Sequence, residues 1–263
     1  MIKTEIKDGV KTITISNPQR KNAIAPSDAK KISEEIRNSV SDDRVDVIVI
    51  TGEGDFFCSG LDLAESREDL SREDIQDIFE WHVEEFVSII RATIECPKFV
   101  VGKINGPSAG FGAEMTYWFD YKVAVKDAYF AEIFTKRGLI PDACGIPFLV
   151  NLAGPTRTLQ KIIFAEKITA KEALELGIIN EIAESQNELD LKIGSIVEKI
   201  KKTPPGASSK IKMLTWESAF PYLESHIRKL RVLQAKQVLS EEFIEGISSF
   251  FRKEEPSFKK IKF

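Results

Sequence analysis

The chain has 263 residues, a formal net charge of −4 at pH 7, 43% hydrophobic residues and 30% charged residues. This length and composition suit a soluble globular protein with one large core, or a core and an appendage. The small negative charge gives no reason to expect nucleic acid or a membrane as the main partner, and no apolar run approaches the roughly 20 residues of a membrane span. Polar residues stand where a signal peptide needs an apolar block, so we expect a cytoplasmic protein.

Cysteine and histidine are scarce in this chain. The three cysteines, Cys58, Cys96 and Cys144, have no paired metal-ligand spacing and suit a reducing compartment. The two histidines, His82 and His226, are too few for a multi-histidine metal site, and they supply a Ser-His-Asp or Cys-His nucleophile system poorly. We therefore expect neither a metal ion nor a reactive cysteine.

The N-terminal part alternates strand and helix patterns. Val10–Ser16 alternates as a half-buried strand, and a helix is expected to start near Ser27 as its cap. Residues 45–51 form an apolar run typical of a buried strand, and residues 56–63 then leave the sheet. A long helix follows, which Ser71 is expected to cap, because apolar residues recur there at helical spacing.

A glycine-rich turn connects the next strand, Phe99–Ile104, to a helix. Gly106, Gly110 and Gly112 let the backbone approach another group closely, and the helix that follows presents unpaired N–H groups. Such a turn binds an anion, or an oxygen that becomes one during a reaction, although many similar turns are only tight connections. A dinucleotide-binding motif is excluded, because Met115 stands where GxGxxG requires its third glycine.

The middle of the chain continues the mixed pattern. Residues 121–125 and 127–134 resemble strands, and helices are expected at about 143–152 and 156–165. The segment 169–177 begins with a capping box and ends at a glycine, which is typical of a short helix.

The pattern changes at Thr203-Pro204-Pro205-Gly206, beyond which only helical spacing occurs. We therefore predict an α/β core with largely parallel strands over residues 1–202. Residues 203–263 are predicted to form a helical region that packs on the core or on a neighbouring subunit.

Five blocks in order resemble the crotonase superfamily, the enoyl-CoA hydratases and isomerases: NPQRKNAI, ITGEGDFFCSGLDL, INGPSAGFGAEMTYWFD, FAEIFTKRGLIPDACG and ITAKEALELGIINEI. The resemblance covers nearly the whole chain. It implies a spiral of ββα units, a helical C-terminal trimerisation region, and an acyl-coenzyme A thioester as the ligand. It also implies self-association as a trimer or a dimer of trimers, and no cofactor apart from the coenzyme A of the substrate.

The resemblance further implies an oxyanion hole built from two backbone N–H groups. In FCSGLDL the donor follows the glycine and is the N–H of Leu61, and in GFG it is the N–H of Phe111. Two such donors on a thioester oxygen would acidify the α-carbon by stabilising the enolate.

The same resemblance places further residues along the substrate. The substrate and its coenzyme A are expected to contact Lys21, Asn22, Ala23, Ser59, Gly60, Asp62, Gly110, Gly112 and Phe134. The acyl end is expected to meet Phe79, Trp81 or Phe86. Lys259 and Lys260 could reach phosphate groups, although solvated surface lysines are the simpler interpretation.

Two carboxylates are candidate acids or bases. Glu114 matches the first of the two glutamates that hydratases use, but the second position falls on Phe134, so that carboxylate is absent. Asp142 matches the acid/base of the 1,2-epoxyphenylacetyl-CoA isomerases and the glutamate of the Δ3,Δ2-enoyl-CoA isomerases. Each also has a structural interpretation: Asp142 as a helix N-cap, and Glu114 as an acidic residue that the helix dipole favours.

Three functions follow from these residues. The first is an enoyl-CoA isomerase that shifts a double bond, or isomerises an aromatic epoxide, with Asp142 as the acid/base. The second is an enoyl-CoA hydratase that uses Glu114 with Asp142. The third is a non-catalytic member that binds an acyl-CoA.

Overall fold

The computed structural model describes residues 1–63 and 74–259. The strands within these residues are β1 (Ile2–Lys7), β2 (Val10–Ile15), β3 (Val47–Gly52), β4 (Phe99–Ile104), β5 (Ser108–Ala109), β6 (Tyr121–Val125), β7 (Tyr129–Ala131), β8 (Lys167–Thr169) and β9 (Glu181–Ala183). The α-helices are α1 (Pro26–Asn38), α2 (Ile75–Glu95), α3 (Phe111–Tyr117), α4 (Gly145–Ile163), α5 (Ala170–Glu175), α6 (Gln186–Lys201), α7 (Pro205–Ala219), α8 (Leu223–Gln237) and α9 (Glu241–Arg252).

A six-stranded sheet in the order β1-β2-β3-β4-β6-β9 forms the centre of the described chain. Its neighbouring strands pair in parallel, except for the antiparallel pair of β1 and β2. β3 is buried along its whole length, as the apolar run predicts for a strand covered on both faces. A smaller sheet, β5-β7-β8, lies beside it. The predicted α/β class with a largely parallel sheet is confirmed.

The N-terminal elements depart from the prediction in two places. β1 was not predicted, because its few apolar positions give a weak pattern, and it is defined mainly by its pairing with β2. α1 begins at Pro26 rather than at a Ser27 cap. The N-cap residue is Ala25, whose N–H donates to the Asp28 carboxylate at 3.2 Å. Pro26 then occupies the first helical position, where proline is favoured. The predicted cap Ser71 lies outside the described residues.

The two helices predicted at 143–152 and 156–165 form the two halves of α4. Gly154 separates them with a non-helical backbone (φ 74°, ψ 167°), and Pro155 follows it. The strand predicted over 127–134 ends at Ala131, because the chain enters a 3₁₀ turn at Phe134–Arg137.

Helices α7, α8 and α9 form the helical C-terminal region and pack back on the core. α7 is held through Asp120, whose carboxylate pairs with Lys212 at 2.5 Å and accepts the Trp216 indole N–H at 2.9 Å. α8 packs on α2, and α9 packs on the 3₁₀ turn. The division into two domains at residue 203 stays a prediction. None of the helices in residues 1–63 and 74–259 has the length and apolar character needed to cross a membrane.

Candidate active site

The loops after β2, β3 and β4 meet at one edge of the large sheet, because parallel strands present their carboxyl ends on the same side. With the chain that follows β7, they border a cavity of about 670 Å³, a size typical of a small-molecule site. The predicted site residues on its wall are Lys21, Ala23, Ser59, Gly60, Leu61, Asp62, Gly110, Phe111, Phe134 and Asp142. Asn22, Gly112 and Glu114 lie behind this wall.

The N–H groups of Leu61 and Phe111 lie on two turns that touch each other. Gly60 and Gly110 precede them with φ values of 94° and 53°, which side-chain-bearing residues rarely adopt. A Cβ on Gly60 would lie 2.9 Å from the carbonyl oxygen of Ala109 and 3.4 Å from the nitrogen of Phe111. Within the described residues neither N–H donates a hydrogen bond. Two unused backbone donors at a cavity wall can hold an oxygen that gains negative charge.

Backbone contacts fix these turns. The N–H of Ala109 donates to the carbonyl of Cys58 at 2.9 Å, and the N–H of Gly110 donates to the carbonyl of Ala131 at 2.9 Å. A Cβ on Gly112 would lie 2.3 Å from the Cys58 carbonyl oxygen, so α3 can approach the β3 loop only with glycine there. Gly112 therefore acts on the site through packing.

Asp142 lies on the cavity wall and is 5% exposed. Its Oδ2 accepts the Nε2 amide of Gln234 at 3.2 Å, while Oδ1 has no hydrogen-bond partner among the described residues. Burial raises the pKa of Asp142 to about 7, against the hydrogen bond from Gln234. A carboxyl group with this pKa can both accept and return a proton near neutral pH. It does not cap α4, whose N-cap residue is Cys144.

Glu114 is fully buried behind Asp142 and faces backbone instead of the cavity. It accepts the N–H groups of Asp142 at 3.2 Å, Ala143 at 2.7 Å and Gly145 at 2.5 Å. Burial raises the pKa of Glu114 well above its ordinary value, with smaller contributions from the carboxylates of Glu132 and Asp142. Both oxygens of Glu114 are therefore occupied in holding the loop that carries Asp142.

Glu132 is a third carboxyl group of this cluster and was missed in the sequence. It is fully buried, its oxygens have no hydrogen-bond partner within the described residues, and the Tyr117 phenol faces it without hydrogen-bond geometry. Burial raises the pKa of Glu132 to about 8. The available signal was a glutamate at the end of the apolar run Tyr129–Ala131, where a strand leads towards the predicted site.

Comparison with known proteins identifies the family. Residues 5–261 match the enoyl-CoA hydratase/isomerase family. The chain belongs to this family. A probable enoyl-CoA hydratase of Rhodobacter capsulatus is 30% identical over 98% of this chain and 97% of its own length. A 1,2-epoxyphenylacetyl-CoA isomerase of Escherichia coli is 27% identical over 98% of this chain and 97% of its own.

The solved structures confirm the crotonase fold. An enoyl-CoA hydratase from Mycobacterium avium subsp. paratuberculosis superposes with a TM-score of 0.87 at 24% identity, covering 98% of each chain. The protein is therefore an enzyme of the enoyl-CoA hydratase/isomerase family with the predicted fold. Since its relatives are named both hydratase and isomerase, the family alone leaves the reaction open.

The family resemblance implies that Asn22 contacts the ligand, but its side chain hydrogen-bonds to the backbone of the neighbouring loops. Asn22 is fully buried; its Oδ1 accepts the N–H of Asn17 at 2.9 Å, and its Nδ2 donates to the carbonyls of Glu53 and Phe56 at 2.9 and 2.6 Å. These bonds join the loop after β2 to the loop after β3. Its neighbour Lys21 lines the cavity, with Nζ 5.2 Å from the centre of the Phe56 ring.

Asp62 and Ser59 also join these two loops at the cavity wall. The buried Asp62 carboxylate pairs with Arg20, whose Nη1 lies 2.7 Å from Oδ1. Ser59 donates through its backbone N–H to the Lys21 carbonyl at 3.1 Å and through Oγ to the Arg20 carbonyl at 3.2 Å. Arg20 lines the cavity and was not predicted, although it stands next to Lys21 in the same basic loop.

Aromatic side chains line part of the cavity wall. Phe86 stacks on Phe111 with ring centres 4.1 Å apart, and both line the cavity together with Phe134. Phe79 and Trp81, the other two candidates for the acyl end, do not reach the wall formed by the described residues.

The cavity wall also carries cations that the sequence did not single out. Lys136, Arg137 and Lys167 line it from the 3₁₀ turn and β8. Lys259, by contrast, is exposed and pairs with Glu241 at 3.1 Å, and Lys260 lies outside the described residues.

Proposed function

We propose that this enzyme binds an acyl-coenzyme A thioester, stabilises its enolate on the N–H groups of Leu61 and Phe111, and isomerises an enoyl group with Asp142 as the acid/base. One observation carries the choice of reaction. Among the described residues, the carboxylates on the cavity wall are Asp62, which pairs with Arg20, and Asp142, which has an unoccupied oxygen.

The proposed reaction moves one proton between two carbons. Asp142 removes a proton from C2 of a 3-enoyl thioester, and the electrons of that bond delocalise over the dienolate and its oxygen. The two backbone N–H groups stabilise this charge. Asp142 then returns the proton to C4, so the C2–H bond breaks, a C4–H bond forms, and the double bond shifts from C3–C4 to C2–C3. No electrons are exchanged with a second molecule, so we propose that no cofactor is needed beyond the coenzyme A of the substrate.

Hydration is the second candidate, because relatives such as that of Rhodobacter capsulatus are named hydratases. It would use Glu114 with Asp142 to hold and deprotonate one water. The arrangement supports it less well, since three backbone N–H groups occupy Glu114 and an apolar side chain, Phe134, lines the wall where the resemblance expects the second glutamate.

The deciding experiment measures both reactions with the same protein. Conversion of a 3-enoyl-CoA to the conjugated 2-enoyl-CoA is followed by its ultraviolet absorbance, and 3-hydroxyacyl-CoA formed from a 2-enoyl-CoA is measured by chromatography. We expect the first activity to exceed the second, and Asp142→Asn to lower it by roughly 10²–10⁴. Asp190→Asn, which removes an exposed carboxylate, is the matched control.

Two results would redirect the proposal. Dominant hydration would favour the hydratase. Binding of coenzyme A without turnover of enoyl or aromatic epoxide substrates, unchanged in Asp142→Asn and Glu114→Gln, would favour a non-catalytic acyl-CoA-binding protein.

We also propose that the protein self-associates as a trimer or a dimer of trimers. Large apolar side chains are more than half exposed on the second half of α4 (Leu159, Ile163) and on α7 (Ile211, Leu214). Exposed apolar groups in such number favour burial between subunits. Sedimentation equilibrium of the 29.6 kDa chain measures the assembly directly.

A further inference from the structure

Two glutamine side chains of helix α8 hydrogen-bond to the backbone of the segment that carries Asp142. Gln237 donates through Nε2 to the carbonyl of Gly138 at 2.8 Å. One turn earlier, Gln234 accepts the N–H of Ile140 at 3.3 Å through Oε1 and donates through Nε2 to the carbonyl of the same residue at 3.3 Å. Residues three apart lie on one face of a helix, so both amides point to residues 138–142.

Gln234 also contacts the Asp142 carboxylate. The Gln234 side chain is 1% exposed, and its Nε2 lies 3.2 Å from Asp142 Oδ2. The N–H of Ile140 requires an acceptor opposite it, which places the carbonyl oxygen of the amide there and leaves the NH₂ group for Asp142. Gln234 is therefore a donor to this carboxylate and not an acceptor.

Gln234 is not among the described residues that line the cavity, so contacts outside the cavity determine its position. Arg91 of α2 pairs with Glu224 of α8 at 2.9 Å, and Gln76 of α2 donates to the carbonyl of Ala235 at 2.9 Å. The docking of α8 on α2 thus determines where the donor stands.

We propose that Gln234 is a positioning residue for the acid/base: its amide holds Oδ2 of Asp142, leaves Oδ1 for the substrate proton, and favours the ionised form of the carboxylate. This inference rests on the proposed function of Asp142. The titratable groups that face Asp142 are Glu114 from α3 and Glu132 from the end of β7, and a negative charge on Asp142 raises the pKa of both. Burial favours the protonated form of Asp142 itself, and the hydrogen bond from Gln234 opposes burial.

The test compares Gln234→Met with Gln237→Met, which makes the same change on the same helix without touching Asp142. The pKa of Asp142 is read by infrared titration of its carboxyl band, assigned by its loss in Asp142→Asn. Loss of a hydrogen bond to the charged form raises this pKa by about one unit. With a starting pKa of about 7, turnover at pH 7 falls about fivefold with little change in KM. In Gln237→Met both the band and the pH profile stay as in the wild type.

Gln234→Glu provides a second variant that keeps the side-chain volume and an acceptor for Ile140. It can donate to Asp142 only while protonated, so we expect its turnover to fall as pH rises, opposite to Gln234→Met. An unshifted Asp142 band in Gln234→Met, or a wild-type pH profile in Gln234→Glu, overturns the inference. Since the infrared titration needs no substrate, this failure is distinct from a wild-type protein that isomerises no enoyl-CoA, which overturns the proposed function.

Discussion

The Glu114 carboxylate accepts the backbone N–H of Asp142 at 3.2 Å, from a helix that begins at Phe111. The helix that presents one of the proposed oxyanion donors therefore also holds the loop of the proposed base. Gly145 permits this close approach of Glu114 to the loop, because a Cβ at Gly145 would lie only 2.5 Å from Glu114 Oε1. The distance between the oxyanion donor and the base is thus fixed by one short helix and one carboxylate.

Glu114→Gln tests whether this carboxylate positions the loop or reacts itself. An amide presents an NH₂ group to at least one backbone N–H, so we expect a loss of unfolding free energy of about 1–3 kcal/mol. Isomerisation should fall much less than the 10²–10⁴ expected for Asp142→Asn. Urea unfolding and initial rates measure the two effects. Equal losses of activity in the two variants would assign Glu114 a direct role in the chemistry.

Asp142→Asn should stabilise the folded protein at high pH. An unfolded aspartate has a pKa near 3.9, whereas burial raises the pKa of Asp142 to about 7. Below about pH 4 both states hold the proton; between pH 4 and 7 only the folded state holds it, so wild-type stability falls over this range. We expect the asparagine variant to exceed the wild type by roughly 1–3 kcal/mol at pH 8 and to match it at pH 4. Urea unfolding at both pH values measures this, with Asp190→Asn showing no such change.

Local features of the sequence were sufficient for much of the fold and part of the site. The apolar runs of β3 and β4 and the turn at Gly110 are set by neighbouring residues, so periodicity and turn chemistry predicted them. Asp142 was found only through the family resemblance. Gln234 was missed because it reaches Asp142 across 92 positions of sequence through the docking of α8 on α2. Glu132 was missed because its one local signal, its place after the apolar run Tyr129–Ala131, does not distinguish a buried glutamate from a solvated one.

Lys212→Met should detach α7 from the core. The Lys212–Asp120 pair is buried, with side chains 3% and 4% exposed, so removing the cation leaves a buried carboxylate uncompensated. We expect a loss of about 3–5 kcal/mol near neutral pH. Burial already raises the pKa of Asp120 and Lys212 opposes this, so the loss should grow as pH rises. The double variant Lys212→Met/Asp120→Asn should recover part of the stability. A single-variant loss that does not change with pH would contradict this account.

Gly110→Ala tests whether backbone conformation places the N–H of Phe111. At Gly110 (φ 53°, ψ −133°) an added Cβ meets nothing closer than Ile133 at 3.7 Å, so the substitution acts through backbone strain and not through a clash. Relief of that strain rotates the peptide that carries the proposed oxyanion donor, and loss of one such donor costs roughly 10²–10³ in kcat. Gly154→Ala is the matched control, because it also has a positive φ of 74° and open space around its Cβ position but lies in the break of α4. Each variant should lose about 1–3 kcal/mol of stability, and only Gly110→Ala should lose kcat. Equal kcat values in the two variants would remove the N–H of Phe111 from the proposed mechanism.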